Sequence, residues 1–234
     1  MKPPSAVDVY CIATDAPVGT IARCATLLDP PERARAARFR FAEHRRRYVV
    51  RHARLRELLG HYLGCAPAKV RLQTTGLGKP FVAASSLRFN LSHADGWALF
   101  AVTWDRELGC DLARRDPSVA ADRVAEAFFA PREVRALRAL DPAQQTEGFF
   151  NGWTRKEAYV KARGGGLQIP LHAFSVSLAP GEPAALLAGC AGWSVKAFEP
   201  EPGYQAAVVA QGDDWDLAFP AWPETGEASE RARA

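Results

Sequence analysis

Glu157 and Lys161 stand four residues apart in Trp153-Thr154-Arg155-Lys156-Glu157-Ala158-Tyr159-Val160-Lys161, which runs on to Gly164-Gly165-Gly166-Leu167. On a helix that spacing makes them neighbours on one face. A solvated ion pair there contributes only about 0.3–0.5 kcal/mol. Chemistry requires more: an anion for Lys161 and a cation for Glu157, brought from elsewhere in the chain. Asp111 is the first candidate, because it interrupts the apolar run Leu108-Gly109-Cys110-Asp111-Leu112. A carboxylate in such a strand is costly unless it is paired, hydrogen-bonded or bound to a metal. His93, at the end of Arg88-Phe89-Asn90-Leu91-Ser92-His93, is either structural or a donor to a phosphate. Ser92 and His93 point to opposite faces of an extended strand, and no Gly-x-Ser-x-Gly elbow surrounds them, which argues against a hydrolase triad. Lys79 lies between glycine and proline in a turn, Thr75-Gly76-Leu77-Gly78-Lys79-Pro80, that lacks the spacing of a Walker A loop.

The elements that must position these groups follow from hydrophobic period. A helix is expected over 147–163, with Phe149, Trp153, Lys156 and Val160 on one face and Gly164 as its left-handed stop. A second long helix is expected over 42–63. Phe41, Tyr48, Leu55, Leu59 and Tyr62 form its apolar stripe, and Arg40, His44, Arg47, Arg51 and Arg54 a basic one. Alternating and β-branched runs predict strands over 7–12, 88–93, 97–102, 108–112, 174–178, 193–198 and 204–209, the last two as a hairpin. Asp29-Pro30-Pro31-Glu32 reads as a helix start. Shorter helices are expected over 119–128 and 131–140, and a disordered tail from Trp222. No repeat by residue identity is present, yet each half offers strands and one long helix.

With 234 residues, 48% hydrophobic and 24% charged, the chain has the composition of a soluble globular protein. No run reaches membrane-spanning length and no signal-peptide core follows Met1, so a cytoplasmic location is expected. Five scattered cysteines form no Cys-x-x-Cys pair, which points to free thiols rather than a disulfide framework or zinc. Between Asp29 and Glu57, ten arginines face four carboxylates, a local balance of +6 in a chain of net +4. Such a field attracts phosphates, nucleic acid or an acidic protein. Nucleic acid is disfavoured, since no aromatic residues are interleaved on the basic face and no nucleic-acid motif is present.

Gly78-Lys79-Pro80, Phe89-Asn90-Leu91-Ser92-His93, Gly109-Cys110-Asp111 and Trp153-Thr154-x-Lys156-Glu157-Ala158-x-x-Lys161-x-x-Gly164 occur in that order. Together they resemble the 4′-phosphopantetheinyl transferase superfamily, in the longer single-chain type that serves peptide and polyketide synthases. The resemblance runs from about Asp29 to Val176. It implies an α+β fold of two similar lobes in a pseudo-dimeric arrangement, each a small sheet packed on a long helix. The lobes would span 1–104 and 105–221, leaving 222–234 as a tail. It also implies a monomer that transfers the 4′-phosphopantetheine arm of coenzyme A to a serine of an apo carrier protein, with Mg²⁺ as cofactor and no nucleic-acid or membrane partner. By the same resemblance, Asp111 and Glu157 hold the Mg²⁺ and Lys161 meets the diphosphate. Lys79, Ser92 and His93 contact coenzyme A phosphates, Arg47 the 3′-phosphate, and Arg35 is a looser match in that region. Many members carry Gly-x-Asp-x-Glu, where this chain has Ala113. The readings left open are a transferase, a non-catalytic module binding coenzyme A or a carrier protein, and a hydrolase using Asp111 and Glu157 as acid and base.

Overall fold

In the computed structural model, which describes residues 5–118 and 121–223, the chain begins with strand β1 (Ser5–Ala13) and helices α1 (Val18–Leu27), α2 (Pro30–Ala37) and α3 (Ala42–Leu63). Strands β2 (Leu72–Thr74), β3 (Pro80–Val82), β4 (Leu87–Ala94), β5 (Trp97–Trp104) and β6 (Leu108–Arg114) follow. Helices α4 (Ala121–Phe128), α5 (Pro131–Ala139) and α6 (Pro142–Arg163) lead to β7 (Ser175–Val176), β8 (Leu186–Ala188), β9 (Trp193–Phe198), β10 (Tyr204–Gln211) and β11 (Trp215–Ala218).

Two main sheets form, β11-β1-β5-β4 and β6-β10-β9. Period-two alternation assigns their faces. Phe89, Ala98, Phe100 and Val102 of the first sheet pack on Leu55, Leu58, Leu59 and Tyr62 of α3. Val7, Val9, Leu99 and Ala101, on its other face, meet Leu108, Cys110, Leu112 and Val208 of the second sheet. Beyond that sheet, Ala207 and Val209 pack on Ala158, Tyr159 and Ala162 of α6. The layers therefore run helix, sheet, sheet, helix, a mixed α+β architecture with one small sheet against each long helix.

Several boundaries have plain local causes. The Asp29 side chain accepts the Glu32 amide while Glu32 accepts the Asp29 amide, so a capping box starts α2. Gly64 and Gly164 adopt φ of 63° and 65° and end the two long helices. Helix α6 begins at Pro142, five residues before its expected start, because proline at its first position continues the helix N-terminally. Phe41, expected on the apolar stripe of α3, is 59% exposed. It sits at the N-cap, outside the helical register. The strand expected over 174–178 shortens to the two residues of β7, where a register irregularity interrupts pairing with β8. Trp215–Ala218 pairs in parallel with β1, returning the end of the chain to the first sheet. Trp222, the expected first residue of the tail, packs against Tyr10 and Phe100 with ring centroids at 5.6 and 5.8 Å. Residues 224–234 of that tail, and the expected helix start at Val119, lie outside the described residues. All five cysteines are free.

Candidate active site

Gly109 brings the second sheet onto α6. A Cβ at this position would collide with the backbone of Ala158, Lys161 and Ala162, with Lys161 C only 2.7 Å away. Glycine is thus the residue that allows β6 to lie directly on the last turns of the helix. Two residues further along β6, Asp111 meets Lys161 across this contact. Lys161 Nζ donates to Asp111 Oδ1 at 2.5 Å and to Ser92 Oγ at 3.0 Å.

Ser92 completes the cluster from the first sheet. Its hydroxyl donates to Asp111 Oδ1 at 2.8 Å and accepts the Leu112 amide at 3.2 Å. Asn90, two residues earlier on the same face of β4, accepts the Cys110 amide at 2.8 Å. Two side chains of β4 thereby satisfy backbone donors of β6 and fasten one sheet to the other. Asp111 is 5% exposed, and its carboxylate is compensated by two donors, as a buried charge must be.

Glu157 is half-buried one helical turn before Lys161, and among the described residues no hydrogen bond or ion pair holds its carboxylate. Burial raises its pKa above the ordinary carboxylate value, and the charge of Asp111 raises it further against the opposing pull of Lys161. Burial alone would lower the Lys161 ammonium, but the charge of Asp111 and its hydrogen bond outweigh this and raise it. Glu157 and Lys161 line a cavity of about 740 Å³ whose walls include Leu77, Phe128, Trp153 and Ile169.

Two carboxylates that repel one another, with Glu157 in the wall of this cavity, form a donor set suited to a hard divalent cation such as Mg²⁺. Among the described residues no group of three or more His, Cys, Asp or Glu gathers as a metal centre. Ala113 packs beside the cluster of Phe129, Leu137, Phe149 and Phe150. Asp116 is exposed and accepts hydrogen bonds from Ser118.

The structure therefore gathers Asp111, Glu157, Lys161 and Ser92. It places the other expected site residues around them. Lys79 is at the C-terminal end of α6, where Nζ donates to Glu107 Oε2 at 2.8 Å, Leu108 O at 3.0 Å and Ala162 O at 2.9 Å. All three of its protons are engaged. His93 faces a separate cavity of about 280 Å³ that Arg47 also lines. Partial desolvation, then the positive charges of Arg51 and Lys161, lower its imidazole to about 4. Arg35 is exposed on α2, its guanidinium 5.9 Å from the Tyr48 ring.

Two residues in or beside the site escaped the sequence reading. Asn90 shares the face of β4 with Ser92, and that period-two relationship was the available signal. Arg51 stood within the basic stripe, but nothing in the stripe distinguishes a buried member from exposed ones. Lys156 has a different place again. It is fully buried, with Nζ 2.7 Å from Glu133 Oε2, Leu171 O and Phe174 O, so it anchors α6 to α5 and to the segment before β7.

Comparison with known proteins shows the family. The family model of the 4′-phosphopantetheinyl transferase superfamily matches residues 107–209, and that of the 4′-phosphopantetheinyl transferase N-terminal region matches residues 18–105. The chain is 40% identical over 217 residues to the 4′-phosphopantetheinyl transferase HetI of Nostoc sp., covering 91% of each chain. It is 28% identical over 214 residues to the 4′-phosphopantetheinyl transferase Sfp of Bacillus subtilis, covering 89% of this chain and 94% of that one. A further 4′-phosphopantetheinyl transferase of Bacillus subtilis is 30% identical over 175 residues, covering 74% of this chain and 77% of the other.

Proposed function

Since this chain belongs to the 4′-phosphopantetheinyl transferase superfamily, we propose that it transfers the phosphopantetheine arm of coenzyme A to a serine of an apo carrier protein and releases 3′,5′-ADP. The observation that carries this reading is the cluster of Asp111, Ser92 and Lys161 beside Glu157, which has no partner among the described residues and stands at the wall of the large cavity.

The serine hydroxyl of the carrier attacks the phosphorus that bears the pantetheine arm. The new Ser O–P bond forms as the P–O bond to 3′,5′-ADP breaks. Glu157 takes the proton of the attacking hydroxyl, directly or through one water, a role that a desolvated carboxylate of raised pKa fits. Lys161 stabilises negative charge on the diphosphate as the leaving group departs. Ser92 holds Lys161 and Asp111 in register. Asp111 and Glu157 would hold Mg²⁺, which supplies neutralisation of the diphosphate when bound. Lys79, whose protons are already donated, positions the last turn of α6, while His93, Arg47 and Arg35 serve the adenosine-phosphate end of coenzyme A. No covalent enzyme intermediate is required.

No helix among the described residues is long and apolar enough to cross a membrane. The accompanying proposal is a cytoplasmic monomer without a nucleic-acid or membrane partner. Release of 3′,5′-ADP from coenzyme A, followed by chromatography with and without an apo carrier domain, tests the reading. Release only with the carrier supports the transferase. Release without it indicates the hydrolase, and coenzyme A binding without release indicates the non-catalytic module that Ala113 leaves open.

A further inference from the structure

Resting on the transferase reading, we propose that Asn90 is a further catalytic residue, whose side-chain amide donates a hydrogen bond to a nonbridging oxygen of the phosphoryl group in transfer. Fastening the two sheets uses only half of this side chain. Oδ1 accepts the Cys110 amide at 2.8 Å. That bond settles which end of the planar amide is which, because only the oxygen accepts an N–H. Nδ2 is left on the other side with two protons, and among the described residues no acceptor meets it.

Asn90 is 6% exposed, yet it stands in the wall of the 740 Å³ cavity together with Glu157 and Lys161. A buried amide donor without an acceptor is costly, so nearly all such groups in folded proteins are paired. Fastening alone needs no asparagine. Ser92, two residues on along the same face of β4, accepts the Leu112 amide with a shorter side chain, at 3.2 Å. Asn90 stands to Cys110 as Ser92 stands to Leu112, 20 residues apart in each case. The added length of asparagine carries a donor that serves the cavity.

Its neighbours set the partner. Lys161 gives two of its three protons to Asp111 Oδ1 and Ser92 Oγ, which leaves one for a ligand in the cavity that it lines. Ser92 ties Lys161 to β4 at a point one strand repeat, about 7 Å, from Asn90. Lys161 from the helix and Asn90 from the strand therefore approach one tetrahedral phosphoryl group from two sides, with Glu157 in the same wall. Charge spreads over the nonbridging oxygens as the Ser O–P bond forms and the P–O bond to 3′,5′-ADP breaks. A neutral donor held in place stabilises that charge without binding the phosphodiester product as a second cation would.

The test measures the single-turnover transfer rate to an apo carrier domain, KM for coenzyme A, and the Ki of 3′,5′-ADP, which lacks the transferred phosphoryl group. In Asn90→Ser the hydroxyl can take the Cys110 amide as Ser92 takes that of Leu112, while the cavity donor is gone. The transfer rate should fall about 100-fold, the scale for losing one such donor, with Ki and the urea midpoint unchanged. Asn90→Asp keeps size and acceptor but sets a carboxylate where Nδ2 stood; it should lose at least as much rate, and it supplies the readout if the serine variant does not fold. A rate and a Ki that worsen together with a lowered midpoint make Asn90 a fastener only and overturn the proposal. So does a raised KM at unchanged rate, which would place the donor on the pantetheine arm, and so does an unchanged rate in both variants. A wild type that modifies no carrier removes the transferase reading itself, and the proposal with it.

Discussion

Gly109 and Ala162 meet backbone to backbone, and this contact sets the distance between the second sheet and α6. Asp111 reaches Lys161 because Gly109 permits the approach. Gly109→Ala should therefore displace β6 from the helix and break the Asp111–Lys161 bond of 2.5 Å. Forcing a methyl group against packed backbone costs about 1–3 kcal/mol or more. Urea denaturation should show that loss, and activity should fall further than stability alone explains. Wild-type activity in a folded Gly109→Ala protein would contradict the assignment.

Lys156 and Glu133 form an ion pair whose side chains are 0% and 1% exposed. Glu133 also accepts the Ala130 and Val176 amides, at 2.7 and 2.8 Å. Lys156→Ala leaves that carboxylate buried without its cation and should cost about 3–5 kcal/mol, a large share of the stability of a typical domain. The denaturation midpoint measures it. A shift close to zero would show that the pair is not the anchor of α6.

Lys79 should reveal its role through stability first. Lys79→Met removes three charge-assisted bonds at the junction of Glu107, Leu108 and Ala162. About 1.5–3 kcal/mol is the expected loss for the charged contact, with a frayed end to α6. Hydrogen exchange at the Lys161 to Gly164 amides would detect the fraying. Unchanged protection there, combined with a raised KM for coenzyme A, would instead make Lys79 a direct ligand.

Acid should weaken the contact between α2 and α3. Glu32 accepts Arg56 Nε at 2.6 Å and lies 3.2 Å from His52 Nδ1. Burial alone would raise its carboxyl, but the hydrogen bonds of His52 and Arg56 outweigh this and hold it below the ordinary 4.5. Its contribution is thus fully present above pH 4.5 and is lost as pH falls through the lowered folded value. His52 is held below its ordinary 6.5, chiefly by burial, so the unfolded chain takes up its proton first and stability also declines as pH drops below 6.5. Below pH 4.5, urea midpoints should fall less steeply in Glu32→Gln than in the wild type. Parallel curves would remove this cluster from the acid response.

Much of this arrangement was legible in the residues. The 3.6-residue period gave α3 its bounds, and two carboxylates with one lysine marked the centre of the site. Asp111 stood out because a charge in an apolar strand needs a partner, and Lys161 with Ser92 provides one. Lys156 carried a weaker form of the same signal, a lysine on an apolar face, whose partner Glu133 lies on another helix. What could not be read depends on tertiary contact. The short strands β2, β3, β8 and β11 have too few residues to show a period. Whether Arg47 is free to bind an anion depends on Asp15, which lies in a loop 32 residues before it.

The most direct test is intact mass of an apo carrier domain after incubation with this protein, coenzyme A and Mg²⁺, alongside Glu157→Ala and Lys161→Ala. The wild type should add one phosphopantetheine to the carrier. Both variants should lose at least about a hundredfold in rate, the scale for removing a group that stabilises developing charge or moves the proton. A carrier whose mass never changes, or one modified equally fast by Glu157→Ala, would contradict the account.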